Sequence, residues 1–391
     1  MSHPLCAPDL LARMGTGRDF ELRRLALRHK RCPEEVLVLS AAQEDSRLRR
    51  TVAENAGCPP HILTRLAKDN CSSVREAVAV NLSTPPVSLN ELACDTSIRV
   101  RQMVATNPSI PAEVVNLLME CGEEDNLLEF LAGNPVCPGD ILESLAALNC
   151  FSLRLAVAGN PSAPGEVLRM LAAKRMPLGF RVMYVEYYSR AAFPSNADRS
   201  ILEKVAQNPS CPADLLADLA QDESRRVRGA VARNPNCPRT ILFALSYDRN
   251  EWVRAGVAGN PNTPRKLLEK LGDDGDGGVR AAVAANPHTP QQVLDALARD
   301  NDVNVRFRLS ENTSCSAATV GTLLLDSYRT VRLRALVHPD CINEVVSGKA
   351  LEICSSAFTG DVAAVLRDLA HHPGFPSFLR TIVDFDRKVQ A

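Results

Sequence analysis

The chain has 391 residues, with 45 Lys and Arg against 46 Asp and Glu, so its balance of charge provides no general attraction to nucleic acid or to an anionic membrane. No stretch approaches the roughly 18 uninterrupted apolar residues of a membrane helix, and the N-terminal MSHPLCAPDLLARMG lacks the basic and long apolar regions of a secretory signal. These features predict a soluble, cytoplasmic protein.

From Leu22 onward one phrase returns, V-R-x-A-V-A-x-N-P-x-x-P-x-x-L-L-x-x-L-A-x-D. Its copies open at Leu22, Leu48, Val74, Val100, Leu127, Leu153, Ile201, Val227, Val253, Val279, Val305, Val331 and Val365. The interval is 26 residues except for 27 after Val100, 48 between Leu153 and Ile201, and 34 before Val365. A period of this length describes one supersecondary unit that cannot bury its apolar face alone and must stack on its neighbours. The expected organisation is an N-terminal partial repeat or cap over 1–21, a first arm over 22–178, an irregular aromatic-rich break over 179–200, a second arm over 201–356 and an atypical C-terminal repeat or cap over 357–391.

Within the copy from Val227, the apolar residues Val227, Ala230 and Val231 recur at helical spacing. Asn234-Pro235 ends that helix, because the residue before a proline is pushed out of the α region. Pro238 suits the first turn of a second helix, where its missing N–H costs nothing. Thr263 and Thr289 precede the corresponding prolines as candidate N-caps. Ile241, Leu242, Leu245 and Ser246 then form an inward stripe. The fold expected is all-α, a solenoid of about 13 helix-turn-helix repeats.

Cys6, Cys32, Cys58, Cys137, Cys211, Cys237, Cys315 and Cys341 share repeat position 11, and Cys71, Cys150 and Cys354 share position 24. Residues in one slot of successive layers lie on the order of 10 Å apart, too far for a disulfide. They are read as reduced structural thiols that bind no metal.

Asp at position 22 is followed six residues later by Arg at position 2 of the next copy. The pairs are Asp69 with Arg75, Asp95 with Arg101, Asp222 with Arg228, Asp248 with Arg254, Asp274 with Arg280, Asp300 with Arg306 and Asp326 with Arg332. A guanidinium fork fits a carboxylate or loop carbonyls, so this set is expected to tie one unit to the next.

The phrases VRGAVARNPNCPRTILFAL, VRAGVAGNPNTPRKLLEKL and VRAAVAANPHTPQQVLDAL resemble the bacterial leucine-rich repeat variant family, and the D…VR ladder is similar to that of HEAT repeats. The likeness covers residues 22 to about 356. It implies a right-handed superhelix whose units pair an α-helix with a second short helix, sometimes of 3-10 type. One form of the family carries an N-terminal cysteine cluster around an iron–sulfur centre. Residues 1–21 hold only Cys6, in repeat register, so no such cofactor is expected.

Positions that leave the consensus without a folding benefit are candidates for function. The 179–200 break gathers Phe180, Tyr184, Tyr187, Tyr188 and Phe193, as gap-filling rings or as a hinge or partner-binding patch. Trp252 takes position 26, where Ser73, Asn126, Ser152 and Asn304 read as N-caps; it either folds onto a neighbouring unit or stands out as a contact residue. By the HEAT resemblance, positions 3 and 7 of the first helix line a concave side. That stripe reads Arg24, Arg50, Glu54, Glu76, Gln102 and Glu129 in the first arm, and Gly229, Arg233, Ala255, Gly259, Ala281 and Ala285 in the second, where small residues would let a partner approach the backbone.

Signs of catalysis or metal binding are weak. His29, His338 and His372 fill the Asn slot at position 8; Cys58-Pro-Pro-His61 is half a zinc motif without its other half; and Gly272-Asp-Asp-Gly-Asp-Gly-Gly278 lacks the distal glutamate of a calcium loop. No phosphate-binding loop, nucleophile elbow or zinc-protease motif occurs. The function expected is a non-enzymatic, monomeric protein-interaction scaffold. The alternative is a nucleic-acid-binding or alkylated-base-glycosylase-like solenoid, for which Trp252, Glu251 and Arg254, or the basic group Arg23, Arg24, Arg28, Lys30, Arg31, Arg47, Arg49 and Arg50, would be the contacts.

Overall fold

Each copy of the repeat forms a pair of α-helices in a computed structural model of the chain, which describes residues 7–120, 126–148, 150–173, 197–324, 326–336 and 338. The described residues hold 24 helices and no strand. In the copy from Val227 the first helix is Arg225–Arg233 and the second is Arg239–Leu245; in the next copy they are Glu251–Gly259 and Arg265–Gly272. The second helix is therefore α rather than 3-10. The apolar stripes read from the sequence face inward, with Val227, Ala230, Val231, Leu242 and Leu245 all buried. Burial of each such valine or leucine supplies roughly 1.5–3 kcal/mol, which short isolated helices need in order to persist.

Two helix-start assignments change. The first helix is capped from position 24, not 26: Asn250 accepts from the Trp252 N–H, Asp276 from Val279 and Asp302 from Asn304. Position 26 thus lies inside the helix, and Trp252 replaces no cap. Position 11 likewise does not cap the second helix, which starts after a proline with no side-chain cap. Instead the Thr289 hydroxyl donates back to the Val283 carbonyl at 2.7 Å, and Thr84 does the same to Val78. Each adds a second hydrogen bond to a last-turn carbonyl that also accepts the N–H of the cap asparagine, Asn286 or Asn81. Cys315 makes the weaker thiol version to Leu309 O at 3.5 Å, whereas the thiols of Cys58, Cys211 and Cys237 lie 3.8–3.9 Å from the carbonyl of the proline that follows each.

Asn at position 8 joins successive layers. At nine of these positions its Nδ2 donates to two carbonyls of the preceding copy, as Asn260 does to Ala232 O and Asn234 O at 2.7 Å each, while its Oδ1 accepts from the N–H two residues later. Asn55, Asn81, Asn107, Asn134, Asn160 and Asn208 repeat this pattern, as do Asn286 and Asn312. Each pairs main-chain groups that are buried at the turn. His338 faces Asn312 O through Nε2 at 2.9 Å, and His29 Nδ1 accepts from the Arg31 N–H, so both take over part of the asparagine role. His372 lies outside the described residues.

Contacts divide the chain into two units, Met1–Ser210 and Cys211–Ala391. The aromatic segment with Tyr184, Tyr187, Tyr188 and Phe193 lies outside the described residues.

Candidate functional site

The Asp/Arg set is present, but its partners differ from those of the six-residue reading. Arg228 places its fork on Asp248, Nε to Oδ2 at 2.6 Å and Nη2 to Oδ1 at 3.1 Å, twenty residues ahead. Arg49 holds Asp69, Arg75 holds Asp95, Arg254 holds Asp274, Arg280 holds Asp300 and Arg306 holds Asp326 in the same manner. The six-residue partners meet through the main chain only: Nη1 of Arg75, Arg101, Arg228, Arg254, Arg280, Arg306 and Arg332 donates to the carbonyl of Asp69, Asp95, Asp222, Asp248, Asp274, Asp300 and Asp326 respectively.

The reason lies in the turn. Each aspartate carboxylate accepts from the N–H two residues on, as Asp248 does from Asn250, and this turns it back toward the preceding layer. Asp222 makes that turn bond with Ser224, but the residue twenty before it is Leu202, which has no fork to offer. Burial alone would raise the carboxyl of Asp248; the hydrogen bonds from Arg228 and Asn250 outweigh it and hold the group below the usual range. Asp69, Asp95, Asp274, Asp300 and Asp326 are held low by the same balance. These groups are occupied with one another and with the backbone.

The position-11 thiols are closed to chemistry for a different reason. Burial pushes Cys32 up to about 11 and Cys58, Cys137 and Cys237 up to about 12, far from the thiolate that metals and electrophiles require. Cys71, half-buried at a helix cap, is instead lowered by hydrogen bonding to Ser73. Among the described residues no group of three or more His, Cys, Asp or Glu could hold a metal ion. In the Gly272–Gly278 run, Asp274 meets Arg254 and Asp276 caps the next helix.

The residues left over from folding collect on the first-helix face of the second unit. The Trp252 ring lies over Gly229 so closely that a Cβ there would overlap it, which leaves Gly229 buried and closed to a partner. The Arg233 guanidinium stacks 3.7 Å above the same ring, and its Nη1 donates to Gly229 O at 3.2 Å. Trp252 thus folds onto its neighbour and still remains 40% exposed. One layer further, Gly259 is open, with nothing near the position of a Cβ. It belongs to a groove of about 360 Å3 floored by Gly278, Ala281, Ala282 and Ala285 and bounded by Arg308.

The equivalent face of the first unit is charged. Phe20, Arg24, Arg28, Arg47, Arg50, Glu21 and Glu54 line a cleft of about 450 Å3 there. Its arginines meet local acids, Arg24 with Glu21 at 2.7 Å, Arg50 with Glu54 at 2.8 Å and Arg47 with Asp45 at 2.7 Å. The sequence reading missed the asparagine row and the Arg233–Trp252 stack. The run of Asn at position 8 from Asn55 to Asn312, and a glycine at position 3 ahead of the lone tryptophan, were the available signals.

No described helix is long and apolar enough to cross a membrane. No curated protein matches the chain. Among solved structures, it is similar to a leucine-rich repeat variant with a novel repetitive structural motif, at 23% identity over 62% of this chain and 87% of that one, with a TM-score of 0.38. It is similar also to an engineered protein, at 16% identity over 89% and 98% with a TM-score of 0.25, and to Kap121p bound to Nup53p, at 11% over 95% and 52% with a TM-score of 0.31. Residues 251–276 and 277–302 each match the model of the leucine rich repeat variant family, and they include Trp252 and all of the groove lining but Arg308. Residues 251–302 are thus two repeats of the leucine rich repeat variant type.

Proposed function

We propose that the protein is a non-enzymatic scaffold whose second unit offers its first-helix face to a protein partner. The observation that carries this reading is the Arg233–Trp252 stack beside the open groove of Gly259, Ala281, Ala282 and Ala285. A rigid aromatic that keeps two-fifths of its surface in solvent, with a guanidinium already on one side of it, is the residue pairing that anchors interfaces. The small floor lets a partner's main chain come close. Nothing in the helix pairing or the asparagine row requires either feature.

The nucleic-acid alternative draws on the arginines of the first unit. Those arginines stand beside Glu21, Glu54 and Asp45, which offset the attraction a phosphate would feel. Expected behaviour therefore separates the two readings. A photo-crosslinking side chain at Ala285 should trap a protein that the same group at exposed Leu39 does not, and Trp252→Ala should reduce the yield. Equal trapping at both positions, or nucleic acid as the trapped species, would overturn the scaffold assignment.

A further inference from the structure

Six arginines at repeat position 2 place their forks on an aspartate twenty residues ahead, so the slot itself is shaped for a carboxylate. Arg23 occupies the same position in the first copy, and the residue twenty ahead of it is Gln43. Gln43 is exposed and turns its Nε2 to Leu39 O at 3.4 Å. Arg23 Nε is buried and has no hydrogen-bond acceptor. Arg101 and Arg332 also leave a buried Nε without one, but the residues twenty ahead of them, 121 and 352, lie outside the described residues. Only for Arg23 are both sides of the vacant pairing in view.

A buried guanidinium N–H without an acceptor is costly, and the cost is removed by any group that brings two coplanar oxygens to the fork. Asp45, whose carboxyl is lowered slightly by Arg23 from a distance, is engaged by Arg47 through Nε at 3.1 Å, Nη2 at 2.7 Å and the main-chain N–H at 2.9 Å. Glu44, the other acid of that turn, is exposed, and its carboxylate does not reach Arg23 Nε. We propose that Arg23 is an open rung of the ladder and binds a carboxylate supplied from outside the chain. The ligand is an acetate-like group, borne either by a small molecule or by an Asp or Glu side chain of another polypeptide. The six filled rungs favour the side-chain source, since each holds an aspartate. This site is independent of the Trp252 face.

The test follows the Arg23 Nε–Hε resonance in the full chain while acetate, or the capped tripeptide Gly-Asp-Gly, is added against chloride at equal ionic strength. Both probes should shift Arg23 saturably, and capped Gly-Asn-Gly should not. A tripeptide that saturates at roughly tenfold lower concentration than acetate assigns the site to an acidic side chain; equal saturation assigns it to small carboxylates, and either upholds the rung. The variant Gln43→Asp should fill the slot from within, abolish both titrations and raise Tm by about 2–4 °C, as expected for about 1 kcal/mol in a body of this size. That gain should vanish in Arg23→Lys, which has no fork. An Arg23 signal that ignores both probes, or a Gln43→Asp protein that titrates and melts like the parent, would overturn the proposal.

Discussion

The two units use the same pair of ladders to different extents. In the second, four forks run without interruption from Arg228–Asp248 to Arg306–Asp326. In the first, forks join Arg49 to Asp69 and Arg75 to Asp95, and beyond Arg101 the sequence no longer supplies both partners: Leu128 and Leu202 stand where Arg would be, and Cys121 where Asp would be. The asparagine row shows no such loss. Asn134 reaches Ala105 and Asn107 across the 27-residue interval, and Asn208 reaches Ala158 and Asn160 across the 48-residue one.

We predict that geometry contributes to the difference. Asparagine bonds to carbonyls at the end of the preceding first helix, which lie alongside it whatever length of chain intervenes. The fork bonds to an aspartate in the connecting loop, whose place depends on the length of that loop. Layer stacking therefore survives irregular spacing, and the ion-pair lock is confined to regular spacing.

The largest effects should come from the row that both units share. Asn260→Ala removes two buried donors and an acceptor, and should cost about 3 kcal/mol in urea unfolding. Asn208→Ala should cost as much despite the long interval before it. A penalty at Asn208 below half that at Asn260 would show that spacing matters to this row after all.

Next come the forks. Arg228 and Asp248 are both buried, so Asp248→Ala strands a charge and should cost about 2–3 kcal/mol. A double-mutant cycle should find coupling of about 1–3 kcal/mol with Arg228 and under about 0.5 kcal/mol with Arg254, whose bond is to a main-chain carbonyl that the substitution leaves in place. The reverse ranking would restore the six-residue pairing.

Acid should reveal the same contrast. The fork aspartates are held below their ordinary value, so their contribution is fully present above the unfolded carboxyl pKa, about 3.9, and is lost as pH falls through the lower folded values. Amide exchange should accelerate below about pH 4 in the second unit ahead of residues 127–173, which carry no described fork. Uniform acceleration would contradict this.

The smallest effect on stability belongs to the site. Trp252→Ala should cost about 1 kcal/mol, because the ring is partly exposed and leaves a glycine behind it, while crosslinking through Ala285 should fall severalfold. A larger loss of stability than of capture would make the ring a packing residue.

Much of this was legible in the sequence because the repeat averages over its own accidents. Helix pairs, inward stripes, the thiol slot and the participation of Asp and Arg all follow from period and spacing. The partner within the Asp/Arg set did not, because sequence proximity favours Asp248 with Arg254, whereas the turn bond to Asn250 points the carboxylate the other way. Trp252 was misread as a lost cap because the helix begins two residues earlier than its apolar stripe suggests. The cover it forms over Gly229 depends on contact between layers, which no single copy encodes.

The most direct test lengthens one loop of the second unit. A glycine inserted between Asp273 and Asp274 separates Arg254 from Asp274 by 21 residues and Asn260 from Asn286 by 27, the spacing already seen between Asn107 and Asn134. Urea unfolding of the insertion, alone and combined with Asp274→Ala or Asn286→Ala, should find the aspartate substitution nearly free of further cost and the asparagine substitution costing its full amount of about 3 kcal/mol. If the asparagine penalty also disappears, or the aspartate penalty persists, the two ladders do not differ in their dependence on spacing.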